Sequence, residues 1–182
     1  MITVVGTGTG APLSADAARA LAGAGLVVGG RRHLAAAALP DGAERIVLGP
    51  LAPALDAIEA ALEKQRRVVV LASGDPGFFG IVRALAERFG AERLDVRPGV
   101  SSVATAFARL GLPWDDAVVV SAHGRDLRTA LNVCRSRPKV AVLTGPGAGP
   151  AELGPRSPTG SARGSSWWRA RSATPSTNAW SG

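Results

Sequence analysis

Short unbroken apolar runs alternate with stretches whose apolar residues recur at helical spacing, and the alternation lasts up to about Leu153. Val68-Val69-Val70-Leu71-Ala72 has the length and β-branching of a strand covered on both faces. On the same grounds strands are expected over 2–5, 26–28, 46–48, 68–72, 94–97, 117–121 and 140–143. Helices are expected over 14–24, 51–65, 79–88, 101–110 and 127–134, with Ser14 and Ser101 as N-caps. Strands alternating with helices argue for an α/β fold of parallel sheets wound by right-handed crossovers. Gly111-Leu112-Pro113-Trp114 breaks the series, and a fresh strand-helix-strand unit follows it. An N-terminal α/β domain is therefore expected over 1–113, and a partial C-terminal α/β domain over 114–153.

From Gly154 onward the pattern stops. Residues 154–182 have no apolar periodicity, are rich in Ser, Arg, Pro and Gly, and hold Trp167, Trp168 and Trp180 of the four tryptophans. Such a composition cannot bury a core, so an aberrant, disordered tail is expected. Read one base out of frame, a GC-rich encoding of 164–180 yields a strand-like apolar run, which points to a frameshift and a truncated second domain.

Composition narrows the class. A chain of 182 residues with 46% hydrophobic content suits a globular protein with a sizeable core. Met1-Ile2-Thr3-Val4-Val5 enters a strand with no basic leader, and no run reaches the ~18 apolar residues of a membrane helix, so a cytoplasmic chain without a membrane partner is expected. Cys134 is the only cysteine, which leaves neither a disulfide framework nor a cysteine metal site. The net charge of +7 suits an anionic partner. Its arginines are scattered, however, and tyrosine is absent, so nucleic acid is not expected.

Chemistry concentrates at strand ends. Ser73-Gly74-Asp75-Pro76-Gly77-Phe78-Phe79-Gly80 follows a buried strand and opens a helix, where ligands of open α/β sheets collect; a capped turn without a ligand fits the octapeptide equally well. Val5-Gly6-Thr7-Gly8-Thr9-Gly10 resembles half a dinucleotide fingerprint, but Pro12 interrupts the turn and no acidic residue ends the second strand. A nicotinamide cofactor is not expected; the glycines suggest close backbone approach to a planar or anionic group. Arg31, Arg32 and His33 follow the second strand and suit a solvated, positively charged helix start or contacts to substrate carboxylates. His123, in Ser121-Ala122-His123-Gly124-Arg125, is a candidate for hydrogen bonding or for a structural turn, and no metal site is expected. Pro98-Gly99-Val100-Ser101-Ser102 opens a helix whose Ala104, Thr105, Ala106 and Ala108 leave room for a flat group or for close packing.

Together these segments resemble the tetrapyrrole methylase family over residues 1 to about 150. Ser73-Gly74-Asp75-Pro76 with Gly80, and Pro98-Gly99-Val100-Ser101-Ser102, match the family at large. Val28-Gly29-Gly30-Arg31-Arg32-His33-Leu34 and Ser121-Ala122-His123-Gly124-Arg125 are similar to its C5-methylating precorrin-6Y and cobalt-precorrin-7 members. The resemblance implies two α/β domains with S-adenosyl-L-methionine in the cleft between them, commonly as a homodimer. It implies cofactor contacts at Thr9, Gly74, Asp75, Pro76, Phe78, Ser101, Ser102 and Thr144. It further implies contacts to a corrinoid (precorrin) substrate at Gly8, Arg31, Arg32, His33, His123 and Arg125. The chain departs from the family in lacking an acidic residue near Ala11. A partner domain or protein that methylates C15 and decarboxylates goes with the resemblance. Methyl transfer from sulfonium to carbon needs positioning more than a nucleophile, and no general base is assigned. A methylase of the same fold with another acceptor, and an inactive truncated remnant, stand as the alternatives.

Overall fold

The computed structural model describes residues 1–153, and the expectations for 154–182, the three tail tryptophans included, lie outside the described residues. The chain divides into two compact units, Met1–Leu112 and a second that begins at Pro113. The first contains β1 (Ile2–Gly6), α1 (Ala15–Ala22), β2 (Leu26–Gly29), α2 (Arg31–Ala36), β3 (Glu44–Val47), α3 (Leu51–Glu63), β4 (Val68–Ala72), α4 (Val82–Phe89), β5 (Leu94–Arg97) and α5 (Ser102–Leu110). Its five strands are all parallel, in the order β3-β2-β4-β1-β5.

Strand periodicity divides the core between the two faces. Ile2, Val4, Leu26, Val28, Val68 and Val70 pack with Ala54, Ile58 and Ala61 of α3 and with Leu85 and Phe89 of α4. Val5, Val27, Val69 and Leu71 pack with Ala17 and Leu21 of α1 and with Leu34 of α2. Burial on both sides is why these strands carry apolar runs instead of alternation. The chain leaves β1 toward the β3 edge and β4 toward the β5 edge, so the connections from these two neighbours diverge to opposite faces, α1 to one and α4 to the other. Strand ends at such a divergence are where open α/β sheets bind ligands.

The second unit holds β6 (Val118–Ser121), α6 (Leu127–Ser136), β7 (Val140–Leu143) and α7 (Pro150–Leu153). Among the described residues β6 and β7 pair in parallel only with each other, over a small core of Ala122, Ala130, Leu131, Ala148 and Leu153.

Several boundaries differ from the sequence expectation. The helix expected from residue 79 begins at Val82, because Phe79 takes φ 55° and Gly80 packs against the Pro76 carbonyl, which closes a turn first. β3 lies earlier than 46–48, since an edge strand with exposed Glu44 and Arg45 carries no apolar mark at its start. α2 and α7, of six and four residues, are too short to show a period. Both serine caps form: Ser14 Oγ accepts from Ala17 N–H at 3.2 Å and Ser101 Oγ from Ala104 N–H at 3.1 Å. No described helix is long and apolar enough to cross a membrane.

Candidate functional site

Three glycine loops meet at the carboxyl ends of β4, β1 and β5, which are adjacent in the sheet. Gly8 and Gly74 form an isolated antiparallel bridge, with Gly74 N–H donating to Gly8 O at 3.0 Å and Gly8 N–H to Gly74 O at 3.3 Å. A Cβ on Gly99 would lie 2.5 Å from Gly8 N, 2.6 Å from Gly74 O and 2.7 Å from Gly6 O. A Cβ on Gly6 would overlap the backbone of Gly74 and Gly99. These positions are therefore glycine because the loops interlock. That corrects the sequence reading for Gly6, where the close approach is made by the chain's own backbone and not by a ligand. Gly10 differs: its Cβ would meet nothing, and glycine is called for by φ 103°.

The interlock sets the polar groups. Asp75 Oδ1 accepts from Gly77 N–H at 2.8 Å, and Phe78 N–H donates to Asp75 O at 3.1 Å, so the Gly-Asp-Pro loop forms a tight turn with its carboxylate anchored. Phe78 and Phe79 stack edge to face with centroids 5.0 Å apart, and Pro76 is buried. Thr9 Oγ1 lies 3.5 Å from Thr105 Oγ1, which donates to Ser101 O at 3.0 Å. Sequence reasoning gave Thr105 only as a small residue of its helix; the contact spans 96 positions and has no local signature. The Ser101 hydroxyl is engaged as a helix cap, whereas Ser102 is exposed.

At the neighbouring ends of β2 and β4 the arginine-histidine segment meets the Gly-Asp-Pro loop. Arg32 Nη2 donates to Ser73 Oγ at 2.6 Å, Arg32 Nε donates to His33 Nε2 at 3.2 Å, and Ser73 Oγ lies 3.2 Å from that same nitrogen. Burial pushes the His33 imidazole below its ordinary pKa, and the Arg32 charge adds to the effect. A neutral ring accepting at Nε2 carries its proton on Nδ1, a buried atom without a hydrogen-bond partner among the described residues. Arg31 is exposed beside this cluster.

The second unit presents its own strand ends. His123 lies against Gly145, where a Cβ would collide with the imidazole, so the loops after β6 and β7 pack together. Thr144, His123 and Arg125 are exposed there, and Gly124 turns the chain at φ 63°. Asp126 caps α6, accepting from Arg128 N–H at 2.9 Å. Among the described residues no cluster of three His, Cys, Asp or Glu side chains could hold a metal ion.

Residues 1–153 match the sequence profile of the tetrapyrrole (corrin/porphyrin) methylases. The chain belongs to the tetrapyrrole methylase family. It is 40% identical over 155 residues to a precorrin-6Y C(5,15)-methyltransferase [decarboxylating] from Sinorhizobium, covering 84% of this chain and 37% of that one. To the cobalt-precorrin-7 C(5)-methyltransferase of Salmonella typhimurium it is 39% identical over 156 residues, covering 84% of this chain and 75% of the relative. This chain thus spans just over a third of the first relative's length and three quarters of the second's. Among solved structures it resembles the precorrin-6Y methylase of Archaeoglobus fulgidus, with TM-score 0.64 and 28% identity over 85% of this chain and 78% of that one. A uroporphyrin-III C-methyltransferase from Thermus thermophilus, solved with S-adenosyl homocysteine, gives TM-score 0.61 and 26% identity over 85% of this chain and 72% of that one.

Proposed function

We propose that this methylase transfers a methyl group from S-adenosyl-L-methionine to C5 of a precorrin or cobalt-precorrin during corrin ring biosynthesis. The observation that carries the C5 assignment is the agreement of two relatives, 40% and 39% identical over 84% of the chain. The donor set suits the cofactor: an anchored carboxylate at Asp75, hydroxyls at Thr9 and Ser102, and the backbone of the interlocked loops at Gly74 and Pro76. When bound, S-adenosyl-L-methionine supplies an activated methyl group on a sulfonium. The chain's task is to hold donor and acceptor in register, which can contribute roughly 7–11 kcal/mol toward the barrier.

In this reading Asp75, Thr9, Gly74, Pro76, Phe78, Ser101, Ser102 and Thr144 are the candidate cofactor contacts. Gly8, Arg31, Arg32 and His33, with His123 and Arg125, contact the corrinoid. Its acetate and propionate arms give the arginines carboxylates to grip. No residue is assigned as a base, since a reduced corrinoid carbon is itself electron-rich. A cytoplasmic homodimer belongs to the reading. So does a partner domain or protein for C15 methylation and decarboxylation, activities that the name of the first relative carries.

The direct test is incubation with S-adenosyl-L-methionine and an early corrinoid, followed by mass and NMR assignment of the new methyl. Transfer to another carbon would replace the C5 assignment. Binding is tested separately by calorimetric titration of S-adenosylhomocysteine. Asp75→Ala is expected to weaken affinity about tenfold, the size of one lost charge-assisted bond, with the melting temperature unchanged. Equal affinities in the variant and the parent would remove Asp75 from the site.

A further inference from the structure

We propose that Ser73 is a positioning residue: its hydroxyl, with the ring of His33, fixes the Arg32 guanidinium in the orientation that receives a substrate carboxylate. The inference rests on the functional reading above and adds to it a residue outside the assigned contacts. Its basis is the meeting, across 41 positions of sequence, of the loop after β4 with the start of α2.

Arginine loses side-chain freedom when it binds, and its planar fork rewards a preset orientation. Here two different nitrogens of one guanidinium are tied, Nη2 to Ser73 Oγ at 2.6 Å and Nε to His33 Nε2 at 3.2 Å. Two anchored nitrogens fix the plane of the fork, where one would leave it free to rotate. His33 can accept only while neutral, and its Nδ1 is buried and, among the described residues, without a partner. A buried polar atom without a partner has a cost, and its persistence here fits a ring kept for what its other nitrogen holds. Ser73 also precedes Gly74 and Asp75 directly, so one loop carries both the Arg32 anchor and the proposed cofactor carboxylate.

The test uses the full chain and two probes, S-adenosylhomocysteine and uroporphyrin, a stable octacarboxylate tetrapyrrole. Ser73→Ala is expected to raise the uroporphyrin Kd roughly three- to tenfold and to leave the S-adenosylhomocysteine Kd unchanged. Ser73→Thr, which keeps the hydroxyl, is expected to restore parental binding. Arg32→Ala alone and the Ser73→Ala/Arg32→Ala pair are expected to lose equally, since the serine acts only through the arginine. Additive losses, or parental binding in Ser73→Ala, would overturn the proposal. So would a parent that binds S-adenosylhomocysteine but not uroporphyrin, while leaving the methylase reading in place. A parent that binds neither fails the functional reading, and side-chain ¹⁵N NMR then decides the positioning on its own. A protected Arg32 Nε–H and an Nδ1-protonated His33, both lost in Ser73→Ala, support it; an Nε2-protonated ring in the parent overturns it.

Discussion

β4 and β6 are written in nearly the same letters, Val68-Val69-Val70-Leu71 against Val118-Val119-Val120, yet the first is fully buried and the second only half so. The difference lies in what surrounds them. β4 has strands on both sides and helices on both faces, whereas β6 has, among the described residues, one strand beside it and the small core under α6. A run of valines records the burial a strand is built for, and the second unit's strands carry more of it than the described residues provide. The loops differ in the same sense. Those of the first unit are locked backbone against backbone at Gly6, Gly74 and Gly99, while those of the second rest on a side chain, the His123 imidazole against Gly145.

The sharpest way to break this comparison is at the loops. Gly99→Ala places a methyl against three fixed backbone atoms and is expected to destabilise the first unit by about 3 kcal/mol, while Gly145→Ala, where an imidazole can swing aside, is expected to cost about 1 kcal/mol. Urea unfolding gives the totals, and amide hydrogen exchange shows which unit opens. A Gly99→Ala protein as stable as the parent would mean that the loops do not interlock. A smaller contrast is expected in the strands. Val70→Ala should cost about 2–3 kcal/mol and Val119→Ala about 1 kcal/mol or less, since only the first empties a closed core. Equal losses would show that β6 is covered in solution as β4 is.

The smallest effect is titrational. With the folded His33 pKa held below 6.5, the unfolded chain takes up its proton first. The contribution is thus complete above the unfolded value and is lost as pH falls through the folded one. The melting temperature is expected to decline on acidification below neutrality, and His33→Gln, which keeps an acceptor but does not titrate, is expected to remove that part of the slope. A slope identical in the two proteins would place the sensitivity elsewhere.

What could be seen in the sequence follows from how local each cause is. β4 is found to the residue because its signal is its own composition, and the caps at Ser14 and Ser101 because capping acts within three residues. α2 is absent from the expected helices and surfaces only as the solvated helix start at Arg31 to His33: Arg31 to Ala36 is under two turns and holds no buried residue to set a phase. The Gly-Asp-Pro loop announced itself through its glycines, but the reason for Gly6 did not, because it lies in the backbone at Gly74 and Gly99. Arg32 was singled out for its charge and His33 for its place beside it. That both turn toward Ser73 depends on β2 and β4 lying side by side, a fact of topology that no short window contains.

Of the five strands of this sheet, the first to be made is the one the sheet waits longest to complete. Ile2 pairs with Val68 on one side and with Leu94 on the other, so β1 emerges from the ribosome with neither neighbour yet synthesised. Pairings this distant in sequence are slow to close, and until they close both hydrogen-bonding edges of β1 stay open. The Gly6 turn cannot be locked before Gly99 arrives, which makes the interlock a late event in the birth of the polypeptide. A nascent chain stalled before that residue would carry most of its valines with the three loops still unlocked, and would be a natural client for a chaperone.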